Sequence, residues 1–329
     1  MPQKVILDCD PGTDDAIAIM LAALSKEIDL IGITTVNGNA PVEFCSQNAL
    51  RVLEAIGHSH TPVYEGQARP LIRPDFPVPR VQCGLIGKTK GVYLDIPPAT
   101  IQKHAQSAVE FLVETYRSTS DPIVLVPTAP LTNIASALTL EPKLKDMIAE
   151  IVLMGGSHAI CGATPAAEFN IWVDPEAASL VFNAGFPKLT VIPLDATYKA
   201  QVSLNDCTRF ASLGTPAGLH AAQLIEQRIQ TFNQINGPPQ GTSSPVHDGL
   251  CIAHLIKREV VTLKPCRIDV ELKGDHTLGA TIMDWRGKVR PNCNVAIDAD
   301  RTLYRDILED TFSKGPCQHH FPTAADKSL

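Results

Sequence analysis

The chain has 329 residues, 44% of them hydrophobic and 19% charged, with a formal net charge of −7, enough for one large α/β domain or two ordinary ones. An acidic balance without a Lys/Arg cluster argues against a nucleic-acid or anionic-membrane surface, and no stretch reaches the roughly 18 to 20 unbroken apolar residues of a membrane-spanning helix. The nine cysteines are odd in number and form no C-x-x-C pair, which disfavours a disulfide framework or zinc site and reads as free thiols in a reducing compartment.

The opening "MPQKVILDCD" enters a strand at once, with no signal-peptide pattern, so a cytoplasmic protein is expected. "KVILDCD" is a continuous apolar run ending in acids, as in a strand buried on both faces. Pro11-Gly12 turns the chain, and "DDAIAIMLAAL" has helical composition with acids in its first turn. "DLIGITTVNGN" is the next strand, and Pro41 opens a helix running to Gly57. "DPIVLVPTAPLTNIASAL", "EIVLMGG" and "KLTVIPLDAT" continue the alternation, with "DPEAASLVFNAG" as the helix between the last two. Such alternation implies an α/β, doubly wound, mostly parallel sheet with helices on both faces, Rossmann-like, and right-handed crossovers gather every strand-to-helix tip on one edge. Residues 66 to 98, with six prolines, and 236 to 247, "NGPPQGTSSPVH", read as long loops over the surface or a binding site. "VTLKPCRIDVELKGDHTLGATIMDWRG" reads as a small peripheral β-hairpin turned at Gly274-Asp275. There is no internal repeat; a single domain over 1–315 and a polar C-terminal tail over 316–329 are expected.

The first strand tip is the unusual feature. Asp8, Asp10, Asp14 and Asp15 crowd into eight residues, with no Lys or Arg between Lys4 and Lys26. Like charges at that spacing in a half-buried site must be protonated or compensated. At neutral pH a cation is the easier solution, and all-oxygen ligands favour Ca²⁺ or Mg²⁺. An EF-hand starting at Asp8 fits poorly, because its twelfth position is Ile19 rather than Glu. A D-x-D-x-[TV] phosphatase motif fails at Gly12.

Other strand tips carry polar groups that would face the same edge. The second strand ends at Asn37 and Asn39. Prolines around Thr128-Ala129 could free a backbone carbonyl as a cation ligand. "MGG" permits close approach of a substrate, "AEFN" supplies Glu168 and Asn170, and "PVHDG" puts His247 and Asp248 at a helix start.

With these motifs assembled, the chain resembles the nucleoside hydrolase family of the inosine–uridine preferring type. The likeness runs from "VILDCDPGTDDAIAI" through "ITTVNGN", "VPTAPLTNIASAL", "IVLMGGS" and "TPAAEFNIWVDPEAA" to "PVHDGL", about residues 4 to 255. The resemblance implies hydrolysis of a ribonucleoside to ribose and free base. It implies one Ca²⁺ per subunit held by Asp10, Asp15, the Thr128 carbonyl and Asp248, with Asp10 also the base that deprotonates a Ca²⁺-bound water. Asp14, Asn39 and Asp248 would bind the ribose 2′- and 3′-hydroxyls, Glu168 and Asn170 the 5′-hydroxyl, Met154 would line the sugar pocket, and His247 would assist departure of the base. Members are homodimers or homotetramers, and the substrate is the only partner expected, with neither nucleic acid nor membrane.

Two positions depart from the family pattern. Cys83-Gly84 stands where His-Gly is common, and Gly162 stands at the usual Asn. Cys83 is expected to be a bystander, since a thiol does not replace imidazole without a depressed pKa. Two rival readings remain. One is a Mg²⁺-dependent phosphohydrolase with Asp8 or Asp10 as nucleophile, which should want a basic residue near the site. The other is a protein that binds nucleosides or ribose without turnover.

Overall fold

Gln3–Cys9 forms β1, and Val5 to Cys9 are all buried because apolar layers cover both faces. Val5, Leu7 and Cys9 point into one layer and Ile6 into the other, as period-two alternation demands. The structure is a computed structural model that describes residues 2–75, 92–236 and 241–314. Cys83-Gly84 and the tail expected over 316–329 lie outside the described residues.

The further strands are β2 (Ile28–Thr35), β3 (Val63–Glu65), β4 (Ile123–Pro127), β5 (Glu150–Met154), β6 (Leu189–Ile192), β7 (Gln201–Ser203), β8 (Ser243–Pro245), β9 (Val261–Val270), β10 (Thr281–Asp284) and β11 (Cys293–Ala299). Nine of them make one sheet in the order β10-β9-β11-β6-β5-β4-β1-β2-β3. From β3 to β11 every neighbouring pair is parallel, whereas β9 runs antiparallel to both β11 and β10. The expected hairpin is thus the far edge of the main sheet, tied on by β11, a strand the sequence reading did not single out. β7 and β8 pair separately as a two-stranded ribbon.

One face of the sheet is covered by the helices Thr13–Leu24, Val42–Ala55, Pro216–Asn236, Gly249–Ile256 and Arg301–Phe312, whose apolar sides share one core. The other carries Ala108–Ser118, Thr132–Leu140 and Pro175–Asn183 over a second core. Among the described residues no helix is long and apolar enough to cross a membrane.

The strand order places the site. Chain connection runs outward from β1 to β2 and β3, then returns to β4 on β1's other side and continues to β5 and β6. The connections diverge between β1 and β4, leaving a crevice beyond their carboxyl ends, where open α/β sheets bind ligands. Asp10 follows β1 and Thr128 follows β4.

Candidate active site

The Pro11-Gly12 turn folds the start of the helix Thr13–Leu24 back onto the tip of β1. The Asp15 carboxylate makes this turn rigid, accepting the Gly12 N–H at 3.0 Å and the Asp10 N–H at 3.4 Å. It also accepts from Thr128 Oγ1 at 3.1 Å and Asn39 Nδ2 at 3.1 Å, so one side chain joins the tips of β1, β2 and β4. Asp10 Oδ2 takes the Asn39 N–H at 2.6 Å. That approach needs glycine at 38: a Cβ there would stand 1.9 Å from Asp10 Oδ2.

Asp248 comes from the opposite wall. It is the residue before the helix Gly249–Ile256, yet its side chain makes no capping hydrogen bond. Instead Asp14, Asp15 and Asp248 each bring an oxygen within 4.8 Å of the others. Asp10, Asp14, Asp15 and Asp248 are all buried. Burial, with Asp15 alongside, holds the Asp10 carboxyl well above the usual carboxylate range. Burial, then the charge of Asp14, pushes Asp15 up to about 7, and burial with Asp14, Asp15 and Asp10 raises Asp248 as well. Among the described residues the one ion pair in this group is Asp14 with Arg228, at 2.9 Å, and one guanidinium cannot offset four carboxylates. The Thr128 carbonyl, at the same strand tip, accepts Asn170 Nδ2 at 3.0 Å. A hard divalent cation suits this all-oxygen donor set better than zinc or copper.

Above the acids lies a cavity of about 310 Å³. Met154, Glu168 and Asn170 form its side, at the end of β5 and the loop that follows. Glu168 precedes the short helix Phe169–Val173, and its carboxylate accepts the N–H groups of Asn170 (2.9 Å), Ile171 (3.2 Å) and Gly156 (3.0 Å). Burial nonetheless lifts it to about 7. Asn170 spans the gap to Thr128 O and Met154 O. Gly162 lines the cavity where an Asn was expected. A Cβ on it would lie 2.6 Å from Ala167 O and from Glu168 Cα, so the bare backbone lets this loop pack directly on the Glu168 segment.

His247, next to Asp248, is half-buried at the cavity's other end. Its Nδ1 meets Thr197 Oγ1 at 2.6 Å. Because that hydroxyl donates to Leu194 O at 3.2 Å, Nδ1 carries the imidazole proton and Nε2 keeps its lone pair. Burial and then the Arg228 charge, against the pull of Asp14, press His247 down to about 3. Burial thus favours the neutral imidazole at pH 7.

Every expected site residue except Asp15 lines the cavity, and Asp15 lies directly beneath, bonded to three of the liners. Two residues considered from sequence do not join them. Asp8 turns to the opposite face, where it accepts Thr34 Oγ1 at 2.5 Å and Asn133 Nδ2 at 2.7 Å. Asn37 donates to Asp75 at 3.0 Å. Asp8 is therefore unavailable as the nucleophile of a phosphohydrolase. The sequence reading missed Arg228, Phe232 and Tyr198, which wall the cavity. An Arg and a Phe four apart on a helix leading into the Pro/Gly/Ser loop were the available signal, too common to stand out alone.

Comparison with known proteins follows the same lines. A family profile described as "Inosine-uridine preferring nucleoside hydrolase" matches residues 5–306. The pyrimidine-specific ribonucleoside hydrolase RihA of Shewanella woodyi is 39% identical over 322 residues, spanning 95% of this chain and 100% of that protein. RihA of an Escherichia coli O17 strain is 38% identical over 314 residues, spanning 94% and 98%. Among solved structures, a purine-preferring ribonucleoside hydrolase from Gardnerella vaginalis superposes with a TM-score of 0.86 at 32% identity, covering 94% of this chain and 98% of that one.

Proposed function

We propose a division of labour for a chain that belongs to the inosine–uridine preferring nucleoside hydrolase family and hydrolyses the N-glycosidic bond of ribonucleosides. The observation that supports the scheme is the gathering of buried Asp14, Asp15 and Asp248, with Asp10 and Thr128 alongside, at a cavity sized for one small ligand. Asp10, Asp15, the Thr128 carbonyl and Asp248 would hold one Ca²⁺ per subunit. A divalent cation so held lowers the pKa of water and offsets the carboxylate charge.

Asp10 receives the proton of the attacking water. Its Oδ2 is tied to the Asn39 N–H, which leaves Oδ1 for that proton. Asp14, Asn39 and Asp248 bind the ribose 2′- and 3′-hydroxyls; Glu168 and Asn170 bind the 5′-hydroxyl; Met154 packs on the sugar. As the C1′–N bond lengthens the ribosyl ring gains oxocarbenium character, and fixed carboxylates nearby stabilise it. His247, neutral at rest with Nε2 bare, assists departure as a hydrogen-bond partner of the base rather than as a standing acid. A single domain over 1–315 and a cytoplasmic location are proposed from the chain's α/β organisation and free thiols, and a homodimeric or homotetrameric assembly from the family likeness. Relatives divide on the base, one pyrimidine-specific and one purine-preferring.

The test is release of reducing sugar from uridine, cytidine and inosine before and after chelation. Ribose should appear with free base, cease on chelation, and return with Ca²⁺ but not with a monovalent salt. Binding of nucleoside without any ribose release would replace the enzyme reading with that of a binding protein.

A further inference from the structure

Arg228 lies on the long helix Pro216–Asn236, one turn before Phe232, and both face the cavity. Its side chain is 11% exposed and held in two places: Nε donates to Pro245 O at 2.6 Å, and Nη1 donates to Asp14 at 2.9 Å and Thr13 Oγ1 at 3.4 Å. Nη2 makes no hydrogen bond among the described residues. Among the described residues no other Lys or Arg lines the cavity. Asp14 marks its sugar end. At its other end Tyr198 lies 6.4 Å from the Phe232 ring and 5.7 Å from the His247 ring, centroid to centroid. The guanidinium thus stands between the sugar-binding acids and an aromatic enclosure for the base.

We propose that Arg228 is a catalytic residue, whose guanidinium donates to the carbonyl oxygen beside the glycosidic nitrogen of the departing base and so favours pyrimidine nucleosides. This rests on the hydrolase reading above. When the C1′–N1 bond of uridine breaks, its electron pair stays on the base and spreads onto O2, next to N1. A rigid N–H donor aimed at that oxygen strengthens as the charge develops and needs no reorganisation. The base then takes a proton from solvent, while the water that adds to C1′ gives its proton to Asp10, so the sum is nucleoside plus water to ribose plus base. Purines have no carbonyl adjacent to N9, so they gain less from the same donor.

The test uses the full-length, Ca²⁺-loaded enzyme with uridine, inosine and p-nitrophenyl β-D-ribofuranoside, whose phenolate leaves readily and has no adjacent carbonyl. Arg228→Gln should lower uridine kcat about 100-fold, the scale of one lost transition-state donor. The nitrophenyl riboside should lose less than tenfold and inosine fall between. Retained turnover of the nitrophenyl substrate also shows that the variant has folded. Equal losses on all three substrates would reduce Arg228 to a positioning residue for Asp14 and overturn the proposal, as would an unchanged uridine rate. A wild-type enzyme that releases ribose from none of them refutes the hydrolase reading itself, a separate failure seen before any variant is made.

Discussion

Asp10 is costly to the fold and, in the proposed scheme, indispensable to the chemistry. Burial and Asp15 both disfavour its charge, so Asp10→Asn removes a repulsion while an amide oxygen can still accept the Asn39 N–H. The variant should lose about 10²–10⁴ in kcat, the range for a general base, while the thermal midpoint without metal stays equal or rises. A normal kcat in Asp10→Asn would remove the residue from the reaction. Gly162 permits a second test. Restoring the family's Asn with Gly162→Asn forces a Cβ against Ala167 O and Glu168 Cα and must displace the Glu168 carboxylate. KM for uridine should rise about tenfold, equivalent to roughly 1.4 kcal/mol. KM for 5′-deoxyuridine, which has no hydroxyl for Glu168, should move far less; equal shifts for both would detach Glu168 from the 5′-hydroxyl.

At the scale of elements, the site depends on supports far from it in sequence. Tyr304, fully buried in the helix Arg301–Phe312, donates to Val246 O at 3.0 Å and holds the segment that presents His247 and Asp248. Tyr304→Phe leaves that carbonyl unpaired, at about 1–3 kcal/mol. Thermal unfolding should register the loss, and Ca²⁺ affinity should weaken with it; unaltered affinity would show that the ribbon of β7 and β8 fixes Asp248 unaided. These supports explain what was legible in the sequence. The tip of β1 was readable because its contacts are local: Asp15 caps a turn three residues back. The α/β alternation and the tips carrying Asn39, Thr128, Glu168 and Asn170 were readable because a parallel sheet collects its strand ends on one edge. Arg228 was not, since its partner Asp14 is 214 residues away and helix periodicity does not say what a face meets. Strand β11 escaped because "CNVAIDA" is only partly buried and its weak alternation is outweighed by the neighbours it pairs with. Asp8 looked like a member of the acid cluster by spacing alone; the chain leaves the strand after Cys9, so the alternation that pairs Asp8 with Asp10 no longer applies.

For the molecule as a whole, the buried acids tie stability to pH and to the cation. Asp15 and Glu168 each sit at about 7, mainly through burial, and Asp10 and Asp248 are raised too. A carboxyl raised on folding binds its proton more tightly in the native state, so its contribution is complete below the unfolded pKa of about 4 and is lost as pH rises through the folded value. For Glu168 alone, lifted from 4.5 to about 7, the loss is about 3 kcal/mol at 1.4 kcal/mol per pKa unit. The chelated protein should therefore melt progressively lower between pH 5 and pH 8. In the proposed scheme Ca²⁺ competes with protons for Asp10, Asp15 and Asp248, so its stabilisation should grow over that window as protons leave. The two melting curves converge near pH 5 and separate toward pH 8. A gap between calcium-loaded and chelated midpoints that is constant with pH would mean the ion binds elsewhere, because no site built from these raised carboxylates can take up a cation without releasing protons.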